Sequence, residues 1–324
     1  MRTELIINNN NLRELEIISL NEAFNSFLEY YKSKKPTTIK AYSKNLRTFG
    51  AWLKDNFIDH LPTRKDIIEF RDYLKATNHK ATTINSYLNT IRQLTKWLTS
   101  EGLYNKNPYD NIDGAKLSRD FRKDALTIEQ VKELLDQFKR DTPKSKRDFA
   151  IISILVIGGL RTIELERALI GDIDQEKSIL YVLGKGRDEK NEYIKLPQYV
   201  LKAINDYLET RQDRENPEAP LFTSESNFTA NKEIKALPKE SISRIVKTAL
   251  REIGLNSSRL TAHSLRHTTA TLNLKNGGTL EETRELLRHS SINTTMIYAH
   301  IIEREKNQSE QRIANLIFTG KEEA

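Results

Sequence analysis

The chain has 324 residues, 37% of them hydrophobic and 30% charged, with no cysteine and a formal net charge of +7. That composition suits a globular protein with a real core and length enough for two domains, and it excludes disulfide and thiolate chemistry. No apolar run approaches the roughly 20 residues of a membrane helix, the N-terminus shows no secretory leader, and the basic surplus points to polyanions, nucleic acid first.

Residues 1–19 are Asn-rich and read as a tail. Leu20–Tyr31 opens a helical bundle. In Thr37–Asn56 the residues Ile39, Tyr42, Leu46, Phe49 and Leu53 recur at three- and four-residue steps, one stripe of an α-helix. Thr63–Ala76 and Thr82–Ser100 repeat the pattern, the second stopping at Gly102. Residues 20–113 carry 15 Lys+Arg against 10 Asp+Glu, whereas residues 114–324 carry 35 against 32. The first segment therefore holds most of the surplus, as a DNA-gripping module would. Lys40, Lys44, Arg47, Lys80, Arg92 and Lys96 lie on its polar faces and are the candidate phosphate contacts.

Residues 114–124 (GAKLSRDFRKD) are polar and weakly periodic, which suits a linker. Thr127 and Gln130 form a capping-box signature ahead of Val131, Leu134 and Leu135. Lys146–Gly158 reads as a buried helix. Ser178–Leu183 and Glu192–Leu196 are β-prone runs flanking Gly184-Lys185-Gly186, a hairpin pattern. Helices follow at Gln198–Arg211, Lys239–Ile253, His263–Asn276 and Glu281–Arg288. The expected second domain, residues 125–302, is thus mostly helical with a small antiparallel sheet. A tail helix, Glu303–Phe318, carries Ile313, Leu316 and Ile317 on one side within the closing segment 303–324.

Four of the six histidines fall between His263 and His300. His263 and His267 stand four apart on a predicted helix, but Ser264 occupies the place where a zinc hydrolase needs glutamate. No carboxylate follows until Glu281, so no metal is expected. His263 and Arg266 share a helix face and offer an imidazole and a guanidinium fork to one object, which a phosphate satisfies. Upstream, Arg161 follows two glycines that end an apolar helix, and Glu164, one turn on, is placed to orient it. Downstream come Arg288-His289 and then Thr294-Thr295-Met296-Ile297-Tyr298.

In these motifs the chain resembles the tyrosine recombinases, or phage integrase family, over roughly residues 20–305. The resemblance rests on Arg161 in GLRTIEL, Lys185 in the GKG hairpin, and His263 and Arg266 in HSLRH. His289 in LLRHSS and Tyr298 in TTMIYAH complete the set, with separations of 24, 26 and 9 residues for Arg161–Lys185, His263–His289 and His289–Tyr298. Glu164 matches the family's acidic position after the first arginine. Two departures stand out: Arg288 replaces a usual glycine before the second histidine, and the stretch after the GKG turn is less basic than usual.

The resemblance implies a helical core-binding domain followed by a catalytic domain. Tyr298 would attack a DNA phosphodiester to give a 3′-phosphotyrosyl intermediate, with Arg161 and Arg266 clamping the phosphate. Lys185 would protonate the leaving oxygen, His263 would assist proton transfer, and His289 would hydrogen-bond the phosphate. No cofactor is implied, since the covalent link keeps the phosphodiester energy. Four subunits on two specific double-stranded DNA sites are the family expectation, with the tail helix docking on a neighbour. A cytoplasmic location is expected. A type IB topoisomerase-like enzyme and a catalytically idle DNA binder remain the competing readings. The departures at Arg288 and in the hairpin incline the biological role to a mobile-element integrase, with Xer-type dimer resolution as the alternative.

Overall fold

The computed structural model describes residues 19–34, 36–116, 124–184, 189–224, 234–298 and 307–318. The chain divides into two compact units, residues 1–120 and 121–324.

The first unit is a helical bundle: α1 Leu20–Tyr30, α2 Pro36–Asp55, α3 Arg64–Ala76 and α4 Ala81–Ser100. Each start has a local cause where a cap is present. Ser19 and Glu22 form a reciprocal capping box on α1, and Thr63 with Asp66 does the same for α3, answering amide groups that a helix N-terminus leaves unpaired. The apolar stripes meet in one core. Phe27, Phe49, Leu53, Ile67, Phe70, Leu74, Leu94 and Leu98 are wholly buried there. Among the polar groups buried in this unit, Asn45 on α2 donates to the Ser86 carbonyl at 3.1 Å and to Thr90 Oγ1 at 2.8 Å on α4. That bond fixes the rotation of α2 against α4, because a buried amide left unpaired is costly. Beyond α4 the chain folds back onto it: Asn85 donates to the Ala115 carbonyl and accepts from the Ala115 amide.

The second unit starts with α5 Ile128–Asp136, behind the Thr127–Gln130 capping box. Its central helix is α6 Pro143–Gly158, buried along nearly its whole second half. α6 begins three residues earlier than the apolar pattern suggests. Thr142 caps it by accepting from the Ser145 amide, and Pro143 sits in the first turn, where its missing N–H loses nothing. A short α7 Thr162–Glu166 follows, then a three-stranded antiparallel sheet of β1 Ile173–Asp174, β2 Ile179–Val182 and β3 Glu192–Lys195. The pairing runs Ile179↔Lys195 to Val182↔Glu192. Lys185, in the connection between β2 and β3, lies outside the described residues. Helices α8 Gln198–Leu208, α9 Lys239–Glu252, α10 Ala262–Lys275 and α11 Leu280–Leu287 complete the body. Residues 293–298 form a further helical turn, and α12 Ser309–Phe318 is the last described element. No described helix is long and apolar enough to cross a membrane.

The core of this unit gathers Ile151, Ile152, Ile154 and Leu155 of α6 with Ile204 and Tyr207 of α8, Ile242 and Val246 of α9, and Leu265 of α10. Packing around α6 brings its C-terminal end beside α10. There Thr269 donates to the Val156 carbonyl at 2.6 Å.

Candidate active site

α6 ends in Gly159, whose φ of +57° is left-handed. A side chain there would be strained, and its Cβ would stand 2.8 Å from Leu287 Cδ2. This tight turn carries the chain from the core into Arg161, which precedes α7. Arg161 donates through Nη1 to Glu164 Oε1 at 2.7 Å, and its backbone amide donates to Glu164 Oε2 at 2.9 Å. Glu164 is wholly buried, while the Arg161 side chain keeps 29% exposure. The carboxylate thus holds the guanidinium by a single N–H, and the side chain stays partly open to solvent. Burial would raise the Glu164 carboxyl, but Arg288, the Arg161 amide and the Arg161 guanidinium hold it below the ordinary carboxylate value.

Arg266 projects from α10 and is 1% exposed. Its Nη1 donates to the Gly159 carbonyl and its Nη2 to the Leu287 carbonyl, so it closes the ends of both α6 and α11. The structural role and the phosphate-facing role are compatible, since a guanidinium has five N–H groups and two are used here. Burial first, and Arg161 next, lower Arg266 to about 9, with Glu164 opposing. It remains a cation at neutral pH, in a pocket short of negative charge.

His263 lies in the first turn of α10. Ser264, where a zinc hydrolase would need glutamate, bonds the Thr261 amide at 2.9 Å through Oγ and so caps the helix. The His263 and His267 rings meet edge to face at 4.6 Å, and His267 in turn lies 5.2 Å from the Tyr298 ring. His289 follows the end of α11, its Nδ1 bonded to Thr295 Oγ1 at 2.8 Å. That leaves Nε2 as the nitrogen for any outer partner. Burial, then Arg266, Arg161, Arg288 and His263, push the imidazole down to about 4, so it is neutral at physiological pH.

Tyr298 is 4% exposed and packs with Ala270 and Leu287. Burial pushes its phenol up to about 12, while Arg266 and Arg161 act in the opposite sense. Both arginines are therefore close enough to act on the oxygen, yet attack still needs a base for the proton. The structure brings Arg161, Glu164, Arg266, His289, His263 and Tyr298 into one electrostatic neighbourhood. Three further residues are part of it. Thr295 holds His289, His267 backs Tyr298, and Arg288 pairs with Glu164 at 2.9 Å. Thr295 lies one helical turn before Tyr298, a spacing visible in the sequence, although threonine alone carries little signal.

The candidate DNA contacts of the first unit sit differently. Lys40, Lys44 and Arg47 lie along the solvent face of α2, and Arg92 and Lys96 flank α4 behind Lys80 at its start. All six are exposed, and none has an ion-pair partner among the described residues. Arg92 stacks over the Tyr109 ring at 4.7 Å, which fixes its guanidinium at the rim of a groove lined also by Asn85, Asn89 and Lys116.

Residues 124–305 match the Phage integrase family, and residues 23–102 match its N-terminal SAM-like domain. Tyrosine recombinase XerC of Caldanaerobacter subterraneus subsp. tengcongensis is 31% identical over 314 residues, covering 89% of this chain and 85% of the relative. Tyrosine recombinase XerD of Listeria monocytogenes serotype 4b is 29% identical over 283 residues, covering 86% and 93%. Among solved structures, XerH site-specific recombinase bound to palindromic difH substrate, in a post-cleavage complex, superposes with a TM-score of 0.68. That likeness is at 20% identity, covers 92% of this chain and 84% of the other, and speaks for the fold. With its two domains matched in order, the chain belongs to the phage integrase family, the tyrosine recombinases.

Proposed function

We propose that this recombinase opens and reseals double-stranded DNA at specific sites through a phosphotyrosyl link made by Tyr298. The observation that carries this reading is a nearly buried tyrosine within electrostatic reach of two guanidiniums that also act on the neutral His289 imidazole. Arg161 and Arg266 would neutralise the non-bridging oxygens of the scissile phosphate, whose negative charge grows in the transition state. The Tyr298 Oη–phosphorus bond forms as the bond to the 5′-oxygen breaks, and the electron pair leaves on that oxygen. Lys185 would supply its proton, and His263 would take the phenolic one. His289, steered by Thr295, would donate from Nε2 to the phosphate. Attack by the freed 5′-hydroxyl reverses the step on the same or an exchanged strand, so no cofactor is required.

DNA as partner is supported by the XerH complex with its substrate and by the exposed cations on α2 and α4, which have no ion pair among the described residues. Assembly of four copies on two sites is supported by α12, where Ile313, Leu316, Ile317 and Phe318 are all more than half exposed. Such an apolar strip calls for a cover, which a neighbouring copy can supply. Plasmids carrying one or two copies of a site, enriched by the protein from random-sequence DNA, test the activity. Strand exchange that requires two sites is expected; relaxation of the one-site plasmid without exchange would instead indicate a topoisomerase. For the biological role we propose a mobile-element integrase, on the departures at Arg288 and in the hairpin. Xer-type dimer resolution is the second reading, favoured by the XerC and XerD relatives. Integration of a circular donor, compared with resolution of a plasmid dimer, separates the two.

A further inference from the structure

Arg288 occupies an expensive position. It terminates α11 at a φ of +53°, a left-handed conformation that residues with a side chain avoid and glycine accepts. Its side chain is 4% exposed, and its Nε is buried with no hydrogen-bond partner among the described residues. Glycine would relieve both penalties, so the residue must be explained by what the guanidinium holds. Nη1 donates to the Leu286 carbonyl at 2.8 Å, and both Nη groups approach the Gly158 and Gly159 carbonyls at 3.4 Å. Nη2 donates to Glu164 Oε2 at 2.9 Å.

The Glu164 carboxylate is thereby divided. Oε1 serves the Arg161 guanidinium, while Oε2 serves the Arg161 amide and Arg288. A carboxylate facing a single arginine favours the two-pronged pairing that occupies a whole edge of the guanidinium. Here Arg288 takes the second oxygen, so Arg161 is held by one prong and its other N–H groups stay available. The charges point the same way. Arg161, Arg266 and Arg288 against Glu164 leave a net of two positive charges, which matches a phosphodiester gaining a second negative charge as the tyrosine attacks. Without Arg288 the pocket keeps one.

We propose that Arg288 is a positioning residue: through Glu164 it sets the orientation and free charge of Arg161, and it ties that arginine to the adjoining His289. The proposal rests on the transesterification assigned above. Its test is the rate of covalent adduct formation on a nicked duplex at saturating protein, together with DNA affinity and melting temperature. Arg288→Gly is expected to stay folded and to bind DNA within twofold of the parent. Its cleavage rate should fall at least tenfold. The acid side of its rate–pH profile should move to higher pH, because His289 loses one of the cations around it. The groups facing it are Arg161 on the turn before α7, Arg266 and the His263 ring on α10, and Arg288 itself, with Glu164 as the anion beside those arginines. Arg288→Lys should restore most of the rate, and Arg288→Gln, of similar reach but uncharged, should not. Adding Glu164→Gln to Arg288→Gly should cost far less than Glu164→Gln alone, because both act through one pair. Parental rate and pH profile in Arg288→Gly, or equal defects in the Lys and Gln variants, would overturn the proposal while leaving the transesterase reading intact. No adduct with the parent protein would remove both.

Discussion

Lys40, Lys44 and Arg47 stand in solvent along α2, whereas Arg161, Arg266 and Arg288 converge around one buried carboxylate in the second unit. The first set is free of ion pairs among the described residues, and as proposed phosphate contacts its members would act additively, each cation releasing counterions from the phosphate it meets. The second set is individual. Arg266 closes two helix ends, Arg161 is leashed by Glu164, and Arg288 supports that leash. The same kind of charge thus stands free in one unit, where it would provide grip on DNA, and is built into the geometry of the other. Exposure separates the two: a guanidinium out of water must have every neighbour specified.

Substitutions that remove the chemistry from the second unit should have the largest effect. Tyr298→Phe is expected to lower adduct formation by at least about a thousandfold, with binding measured by fluorescence anisotropy unchanged. Arg161→Lys keeps the charge but loses the fork, and its cleavage rate should fall by about a hundredfold at unchanged affinity. Arg266→Met should differ from every α2 variant by damaging the fold as well. Two buried carbonyls lose their donor, and urea unfolding should report a loss of about 2–4 kcal/mol. Replacing Lys40, Lys44 and Arg47 together by Gln should leave stability almost unchanged. It should reduce the slope of log affinity against log salt by about 3 if each residue meets a phosphate. An α2 variant that slowed cleavage at saturating protein would break the distinction between the two units.

The smallest expected effect concerns pH. His289 titrates at about 4 in the folded chain, below its ordinary value of about 6.5, so folding favours the neutral ring. The stabilisation is complete above pH 6.5 or so and is lost as pH falls toward 4. Melting temperatures followed over that window should drop less steeply for His289→Gln than for the parent, and parallel curves would remove His289 from the acid response.

Much of this arrangement is legible in the sequence where local rules decide. The helices α2, α3 and α4 fall within a residue or two of the apolar stripes, because each is long and has a clear start or stop. The pairing of Arg161 with Glu164 follows from three-residue spacing. What is not legible is short or long-range. α7 and β1 are too brief to set a periodicity. Arg288 is visible only as a departure from the family pattern, since its partner lies 124 residues away and the contact exists only after α6 and α11 meet. The bond from Thr295 to His289 depends on a rotation of the 293–298 turn that no residue type announces.

Twelve tyrosines are present in the chain, and the covalent chemistry proposed above falls on one of them. Mass spectrometry of the adduct trapped on a nicked duplex, after proteolysis and nuclease trimming, identifies the linked residue directly. The peptide containing Tyr298 should carry the nucleotide, joined through its 3′-phosphate. A nucleotide on any other tyrosine, or an adduct joined through a 5′-phosphate, would contradict the assignment.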